Sequence, residues 1–310
     1  TGKYVNDVME VGEGIPFLTD IEHAARLNPD ALLLGTAPRG GQLPPAWRSD
    51  LIYALSHGMD IINALPQPLA EDLELKELAR TEGREIWDTR EPPGDEIVGS
   101  GLVAELNAQV VLTVGSDCAV GKMTAALELD MEARRRGRRS LFVPTGQTGI
   151  MIAGFGVSID RVIGDFMSGV TEKLILDNVI GNDLLLIEGQ GSLLHPGYSG
   201  VTLGLMHGAM PTEMVLCHEP LRKYIRDSSI EIPPLPEVIH LYEESCLPPR
   251  KARVLGIALN CAGMTDSEAK SAEKYAEEST GLPAADVLRS GASRLMDAVD
   301  AAFHRKAGPG

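Results

Sequence analysis

Short apolar runs separated by amphipathic stretches dominate the chain, and their spacing predicts alternating strands and helices. Asp30–Gly35 is an apolar run ending in glycine, and Pro45–His57 has helical spacing through Trp47, Leu51, Ile52 and Leu55. Met59–Leu65 reads as a second strand, Ala70–Glu82 as a helix and Arg84–Trp87 as a third strand. Runs of this length between amphipathic helices indicate a parallel sheet covered on both faces. A polar, turn-rich break at Arg90–Asp95 follows, and the domain boundary is placed near it, giving domains 1–98 and 99–310.

The second stretch repeats the alternation on a larger scale. Strands are predicted at Val110–Val114, Ser140–Val143, Leu184–Ile187, Met214–Leu216 and Val254–Leu259. A helix follows the first of them at Met123–Arg136, with Gly137 as its cap. Further helices are expected at about 160–179, 219–227, 236–246, 266–280 and 291–305, which makes this half a doubly wound α/β domain.

Between the first of these strands and its helix lie Gly115, Ser116, Asp117, Cys118, Ala119, Val120, Gly121 and Lys122. A glycine-rich turn in that position aims backbone N–H groups and the positive helix end at an anion, and the lysine adds a point charge. The alternative is an ordinary turn with a solvated lysine. Ser116 stands where the GxxxxGK[ST] pattern has its first Gly, Met123 replaces the Ser/Thr that would hold Mg²⁺, and Thr124 comes one place late. A thioether is a poor magnesium ligand, so the loop is expected to bind phosphate without a metal.

Three further segments follow strands of the same sheet, at the carboxyl edge where open α/β sheets bind ligands. Glu188 and Gln190 belong to a glycine-rich turn, Thr145, Gln147 and Thr148 to a second loop, and Asn260 to a third, where it is a candidate for an adenine edge. His195 lies in a glycine-rich loop and is a site residue or a solvent histidine. His207 and His218 lack zinc spacing and are read as structural, and no GxSxG nucleophile elbow occurs. The run Arg134–Arg139 is read as the solvated end of a helix, with contact to a coenzyme 3′-phosphate as the alternative.

Charge and composition narrow the function. With 28 Lys and Arg against 44 Asp and Glu the formal charge is −16, a balance that repels phosphate backbones and anionic lipid. Nucleic acid and membrane partners are therefore not expected. Aromatic residues are only 4% of the chain, too few for a base-stacking platform. No apolar run approaches the roughly 18 residues of a membrane helix, and the start shows no signal-peptide core. Four scattered cysteines, Cys118, Cys217, Cys246 and Cys261, form no CxxC pair, so a reducing cytoplasm is expected.

The segments GSDCAVGKMT (115–124), PTGQTGI (144–150), LLLIEGQGSLLHPGYSGVTLGLMHG (184–208) and ALNCAGM (258–264) together resemble the DUF1611 family, whose characterised members are D-glutamate N-acetyltransferases of the DgcN type. LLLGTAPRGGQLPPAWR at 32–48 is similar to that family's N-terminal segment. The resemblance covers nearly the whole chain. It implies an N-terminal Rossmann-like domain followed by a P-loop NTPase-like domain similar to the dethiobiotin synthetase branch. It also implies acetyl-CoA as cosubstrate, held through its pyrophosphate by the loop and by Asn260, with no metal, and an amino acid, D-glutamate, as acceptor. Glu188 or His195 is then the base, Lys122 or backbone N–H groups at 189–192 the oxyanion donors, and Arg39 a partner for a substrate carboxylate. A homodimer is expected. The rival is a Mg-ATP-dependent small-molecule kinase or ligase, and a third class is a nucleotide-sensing binding protein.

Overall fold

The computed structural model describes residues 2–8, 12–36, 42–94, 97–248 and 250–307. The chain divides into two compact units, Thr1–Glu91 and Pro92–Gly310. Residues just after the division already belong to the second unit: the backbone N–H and hydroxyl of Ser100 both donate to the buried Glu172 carboxylate.

The first unit runs α1 (Ile21–Ala25), β1 (Ala31–Leu34), α2 (Arg48–Ser56), β2 (Asp60–Asn63), α3 (Leu73–Glu82) and β3 (Ile86–Asp88). Its strands form a parallel sheet in the order β1-β2-β3. Leu51 and Leu55 of α2 and Leu75 and Ala79 of α3 close its core against Leu34 and Ile61. Asp72 caps α3 by accepting from the Leu75 N–H, and Gly83 ends it in the left-handed region. The short α1 is not visible in the apolar pattern.

In the second unit the elements are β4 (Gln109–Gly115), α4 (Lys122–Arg135), β5 (Ser140–Val143), α5 (Gln147–Ala153), α6 (Met167–Asn178), β6 (Leu184–Ile187), α7 (Ser199–Ala209), β7 (Glu213–His218), α8 (Leu235–Glu244), β8 (Arg253–Leu259), α9 (Asp266–Thr280), β9 (Ala284–Asp286) and α10 (Ser293–Ala307). All six strands are parallel, in the order β5-β6-β4-β7-β8-β9. Alternate residues of β4 enter different cores. Val110, Leu112 and Val114 pack with α6 to α9, whereas Val111 faces the side closed by Leu129 and Ala133 of α4 and Leu295 and Val299 of α10. Helices on both faces explain why these strands are mostly apolar.

Several expected elements differ. Residues 219–227 form no helix; they begin an irregular strap in which Asp227 takes a positive φ of 56°. The helix expected from about 160 is two short 3₁₀ turns, Ile159–Arg161 and Gly164–Phe166, leading into α6. The arginine run makes ion pairs instead of waiting for a ligand. Arg136 meets Glu132, Asp297 and Asp300, Arg138 meets Asp183 and Asp300, and Arg139 meets Asp183. It also sits at the end of α4 remote from the loop, about 20 Å away at 1.5 Å per residue, so the 3′-phosphate alternative falls.

Candidate functional site

The order β6-β4-β7-β8 sets four carboxyl ends side by side, and every described candidate of the second unit follows one of these strands or β5. After β4, Gly115 to Gly121 turn into α4. No side chain caps this helix, so its first-turn N–H groups lack a partner within it and remain available to an anion. Ala119 sits at a positive φ of 53° within the same turn. Lys122 is buried, its Nζ donates to the Asp117 carbonyl at 2.9 Å, and burial lowers its pKa.

Asp117 is fully buried and fastens the loop to the strap. Its Oδ2 accepts from Arg222 Nη1 at 2.9 Å and from the Arg226 N–H at 2.7 Å, while Oδ1 accepts from the Cys118 N–H. Arg222 Nη1 also donates to the Cys118 carbonyl and Nη2 to Glu219. Ser116 pairs its hydroxyl with His218 Nδ1 at 2.8 Å; burial, then Arg222, pushes His218 down to about 4, so its ring is neutral at pH 7. Neither Arg222 nor the strap is visible in sequence, because the signal there resembles a helix.

Glu188 follows β6 and is buried. Oε2 accepts from the N–H groups of Thr145 at 3.1 Å and Gly146 at 3.2 Å, and Oε1 accepts from Gln190 Nε2 at 3.1 Å. A carboxylate offers about four acceptor sites, so three are filled and one is open among the described residues. Burial raises its pKa from 4.5 to about 7, with the donors and Lys122 opposing the shift. The next residue must be glycine, since a Cβ on Gly189 would lie 1.7 Å from the Thr113 carbonyl oxygen. Thr113 Oγ1 accepts from the Gly189 N–H at 3.0 Å, which joins the Glu188 turn to the strand carrying the phosphate loop.

Tyr242 of α8 makes a second tie: its hydroxyl donates to the Gly115 carbonyl at 2.8 Å and accepts from the Leu193 N–H at 3.2 Å.

The remaining candidates are placed unequally. His195 is buried, not solvent-exposed; the Gly197 N–H donates to its Nδ1 at 3.1 Å, which puts the proton on Nε2, where it donates to the Arg226 carbonyl at 3.2 Å. Both ring nitrogens are thus committed. The Thr145 hydroxyl donates to the Glu188 carbonyl. Gln147 and Thr148 begin α5, with Thr148 exposed. Asn260 lines a cavity of about 380 Å³ with Val120, Gly121, Thr124 and Arg289, beside the start of α4. Its Oδ1 accepts from the Ala262 N–H. Arg39 lies outside the described residues.

Among the described residues one group has metal-ligand proximity: donor atoms of Asp117, Cys118 and His195 lie within 4.8 Å of one another. The carboxylate already holds an arginine and two N–H groups, the imidazole is bonded at both nitrogens, and burial raises the Cys118 thiol. That donor set is arranged for hydrogen bonds rather than a cation. No described helix is long and apolar enough to cross a membrane.

Comparison with known proteins bears on the whole chain. A model described as a domain of unknown function, the DUF1611_C P-loop domain, matches residues 97–296, and the DUF1611_N Rossmann-like domain matches residues 1–92. A D-glutamate N-acetyltransferase from Tritonibacter scottomollicae is 39% identical over 91% of this chain and 84% of its own length. Another from a Pseudoalteromonas species is 34% identical over 88% of this chain and 82% of its own. The crystal structure of a DUF1611 family protein from Anabaena variabilis matches with a TM-score of 0.92 and 41% identity, over 97% of this chain and 88% of that one. With both units matched and identity above 30% along most of its length, the chain belongs to the DUF1611 family.

Proposed function

We propose that the protein is an N-acetyltransferase that moves acetyl from acetyl-CoA to the amino group of an acidic D-amino acid, D-glutamate. The names of its relatives support the reaction class and the acceptor. The observation that carries the mechanism is Glu188, a buried carboxylate raised to about 7 with one acceptor site open, beside a phosphate loop whose metal position is Met123.

Acetyl-CoA contains a pyrophosphate that the loop N–H groups and Lys122 suit, and nothing in acetyl transfer requires the phosphoanhydride to break. Loss of the magnesium hydroxyl is then without cost. The 380 Å³ cavity at Asn260 and Thr124, next to the loop, has the volume for the adenosine end. Glu188 takes a proton from the substrate ammonium, and the free amine attacks the thioester carbonyl. The C–N bond forms, the C–S bond breaks and the departing thiolate recovers the first proton from Glu188, whose carboxylate then takes the second proton from the acylated nitrogen and passes it to solvent, leaving a neutral amide. Of the backbone donors near that carbonyl, Gly189 N–H is already bonded to Thr113. Those of Gln190, Gly191 and Ser192 have no partner among the described residues and suit the developing oxyanion. His195, bonded at both nitrogens, holds the loop to the strap.

Steady-state acetylation of D-glutamate, read by free thiol release with excess EDTA or with magnesium, tests the reading. The expected result is turnover that EDTA leaves unchanged. Absence of thiol release, together with product formation only when ATP and magnesium are supplied, would replace it with the dethiobiotin synthetase-type rival.

A further inference from the structure

The two oxygens of Glu188 are not equivalent. Oε2 accepts from the N–H groups of Thr145 and Gly146, which fill its two lone-pair sites, and the backbone of Gly149 crowds it further: a Cβ there would lie 2.3 Å from Oε2. Among the described residues Oε1 accepts only from Gln190 Nε2, at 3.1 Å, so the open site belongs to Oε1. A proton taken up by Glu188 therefore sits on Oε1, since on Oε2 it would meet two N–H donors. Lys122 of α4 is the charged group that acts on this carboxylate, and the segment after β5 meets it with backbone N–H groups.

Protonation reverses what Oε1 needs from its neighbour. An ionised carboxylate oxygen only accepts, which suits Gln190 Nε2; a protonated one donates and requires an acceptor. Gln190 carries both functions on one side chain, and it is held in place to use them. The Thr202 hydroxyl of α7 donates to its backbone carbonyl at 2.9 Å, and Gly191, at a φ of 65°, has no room for a Cβ, which would come within 2.5 Å of that hydroxyl oxygen. The amide packs against Gly146, where a Cβ would lie 2.5 Å from Nε2. Oxygen and nitrogen of an amide are nearly interchangeable in size, so a half-turn about Cγ–Cδ fills the same space. The other end of the amide, Gln190 Oε1, has no partner among the described residues and is open to solvent.

We propose that the Gln190 amide reverses each time Glu188 gains or loses its proton. While Glu188 is ionised, the NH₂ faces it and the carbonyl faces the substrate, where it accepts from the amino acid's ammonium. Once Glu188 Oε1 has taken a proton from that ammonium, the carbonyl turns inward to accept the Oε1–H and the NH₂ turns outward. The turn withdraws an acceptor from the amine as it becomes a nucleophile, and offers a donor to the oxyanion that its attack creates. When Glu188 gives the proton to the thiolate, the amide turns back. The inward half of this cycle follows from the hydrogen bonds of Glu188 alone; the outward half rests on the acetyl-transfer reading.

Infrared spectra of the full chain without coenzyme test the inward half. At pH 6, subtracting the spectrum of Glu188→Gln from that of the parent isolates the carbonyl stretch of protonated Glu188. The same subtraction is made for Gln190→Met, which has neither donor nor acceptor, and for Gln190→Asn, whose amide stops one methylene short. In both, the band is expected at higher wavenumber than in the parent, as for an acid whose O–H has lost its acceptor. Thiol release tests the outward half: both variants should lose kcat about tenfold or more while acetyl-CoA affinity stays unchanged. Gln190 is only half-buried, and an unchanged melting temperature checks that the variants remain folded. A band at the parental position in both variants overturns the reversal, and so does parental kcat in both, which would leave Gln190 a structural partner of the carboxylate. If the parent itself releases no thiol, the acetyl-transfer reading fails, and the position of the infrared band alone decides whether the amide reverses.

Discussion

The two sheets place a buried carboxylate at the carboxyl end of a strand in each unit, with different surroundings. Asp88 ends β3, and its oxygens accept from Asn63 Nδ2 at 2.6 Å, the Leu69 N–H at 3.0 Å and the Ala70 N–H at 2.8 Å. Those donors lie at the end of β2 and in the segment after it, which Asp88 closes; Asn63 Nδ2 donates as well to the Gln67 carbonyl. Glu188 also accepts three hydrogen bonds, but burial dominates and lifts it to about 7, and Lys122 lies near enough to act on it. Similar donor counts thus serve different ends. Asp88 closes the turn it sits in, whereas Glu188, between the loop after β4 and a glycine turn, has one acceptor site without a partner among the described residues, which suits the base proposed above.

The sharpest way to break this contrast is Glu188→Gln. The amide is nearly isosteric and accepts the Thr145 and Gly146 N–H bonds through its oxygen, so acetyl-CoA affinity should persist while kcat falls by about 10² or more. His195→Asn should cost less, because the imidazole has no free nitrogen. Parental acetylation by Glu188→Gln would remove the base from this site. The same variant has a stability signature. The folded pKa lies above the ordinary 4.5, so the neutral form's stabilisation is complete below about 4.5 and disappears as pH rises through about 7. The parent should therefore lose about 3 kcal/mol between those limits relative to Glu188→Gln, at 1.36 kcal/mol per pKa unit. Urea unfolding at pH 4.5, 6 and 8 measures it, and parallel curves for the two proteins would show that Glu188 is not held near neutrality.

Lys122→Ala comes next. A buried cation that has only one described hydrogen bond, to the Asp117 carbonyl, is expected to contribute about 1.5–3 kcal/mol to holding a phosphate. Calorimetry should show acetyl-CoA weakened about ten- to a hundredfold with little change in melting temperature. Asp88→Ala should do the reverse. It strands the Leu69 and Ala70 N–H groups, costing about 1–3 kcal/mol of stability, and leaves coenzyme affinity unchanged. If Asp88→Ala weakened the coenzyme as much as Lys122→Ala, the distinction between a structural and a chemical carboxylate would be wrong.

How far this contrast is legible in sequence follows from the length of each signal. The apolar runs at 110–114, 140–143, 184–187 and 254–259 announce β4, β5, β6 and β8 because a parallel strand buried on both faces is apolar at nearly every position. The phosphate loop and Glu188 are legible for the same reason, since each begins where such a run stops. Helix α7 is hidden by Gly200, Gly204 and Gly208, which locally resemble a loop. Gly208 lies against the Ser168 backbone of α6, where a Cβ would come within 2.2 Å of its carbonyl oxygen. Gly204, against the Met167 side chain, and Gly208 serve close helix packing, a property of the neighbour rather than of the segment. Arg222 is hidden because EPLRKYIRD carries helical spacing, and only the pull of Asp117 on Arg222 and the Arg226 N–H shapes it into a strap. Asp117 in turn is legible as a loop residue but not as the anchor of that strap.

The smallest effect is expected from Met123→Ser, which restores the usual GK[ST] sequence. Met123 is half-buried in the first turn of α4, where a hydroxyl adds nothing that acetyl transfer requires, so acetyl-CoA affinity and turnover should change by no more than about twofold. ATP turnover should not appear either. A loop hydroxyl holds magnesium together with a carboxylate, and the carboxylate of this loop, Asp117, is already bound to Arg222 and to the N–H groups of Cys118 and Arg226. Releasing it would free the strap from the loop, and a group that orients the attacking water would still be needed. Titration with acetyl-CoA and with Mg-ATP, followed by phosphate release, measures both halves. Magnesium-dependent ATP hydrolysis by Met123→Ser would mean that one side chain separates this loop from loops that cleave nucleotide. The Asp117 anchor would then be no barrier to a metal, and the contrast between a loop that only holds phosphate and one that breaks it would rest on residue 123 alone.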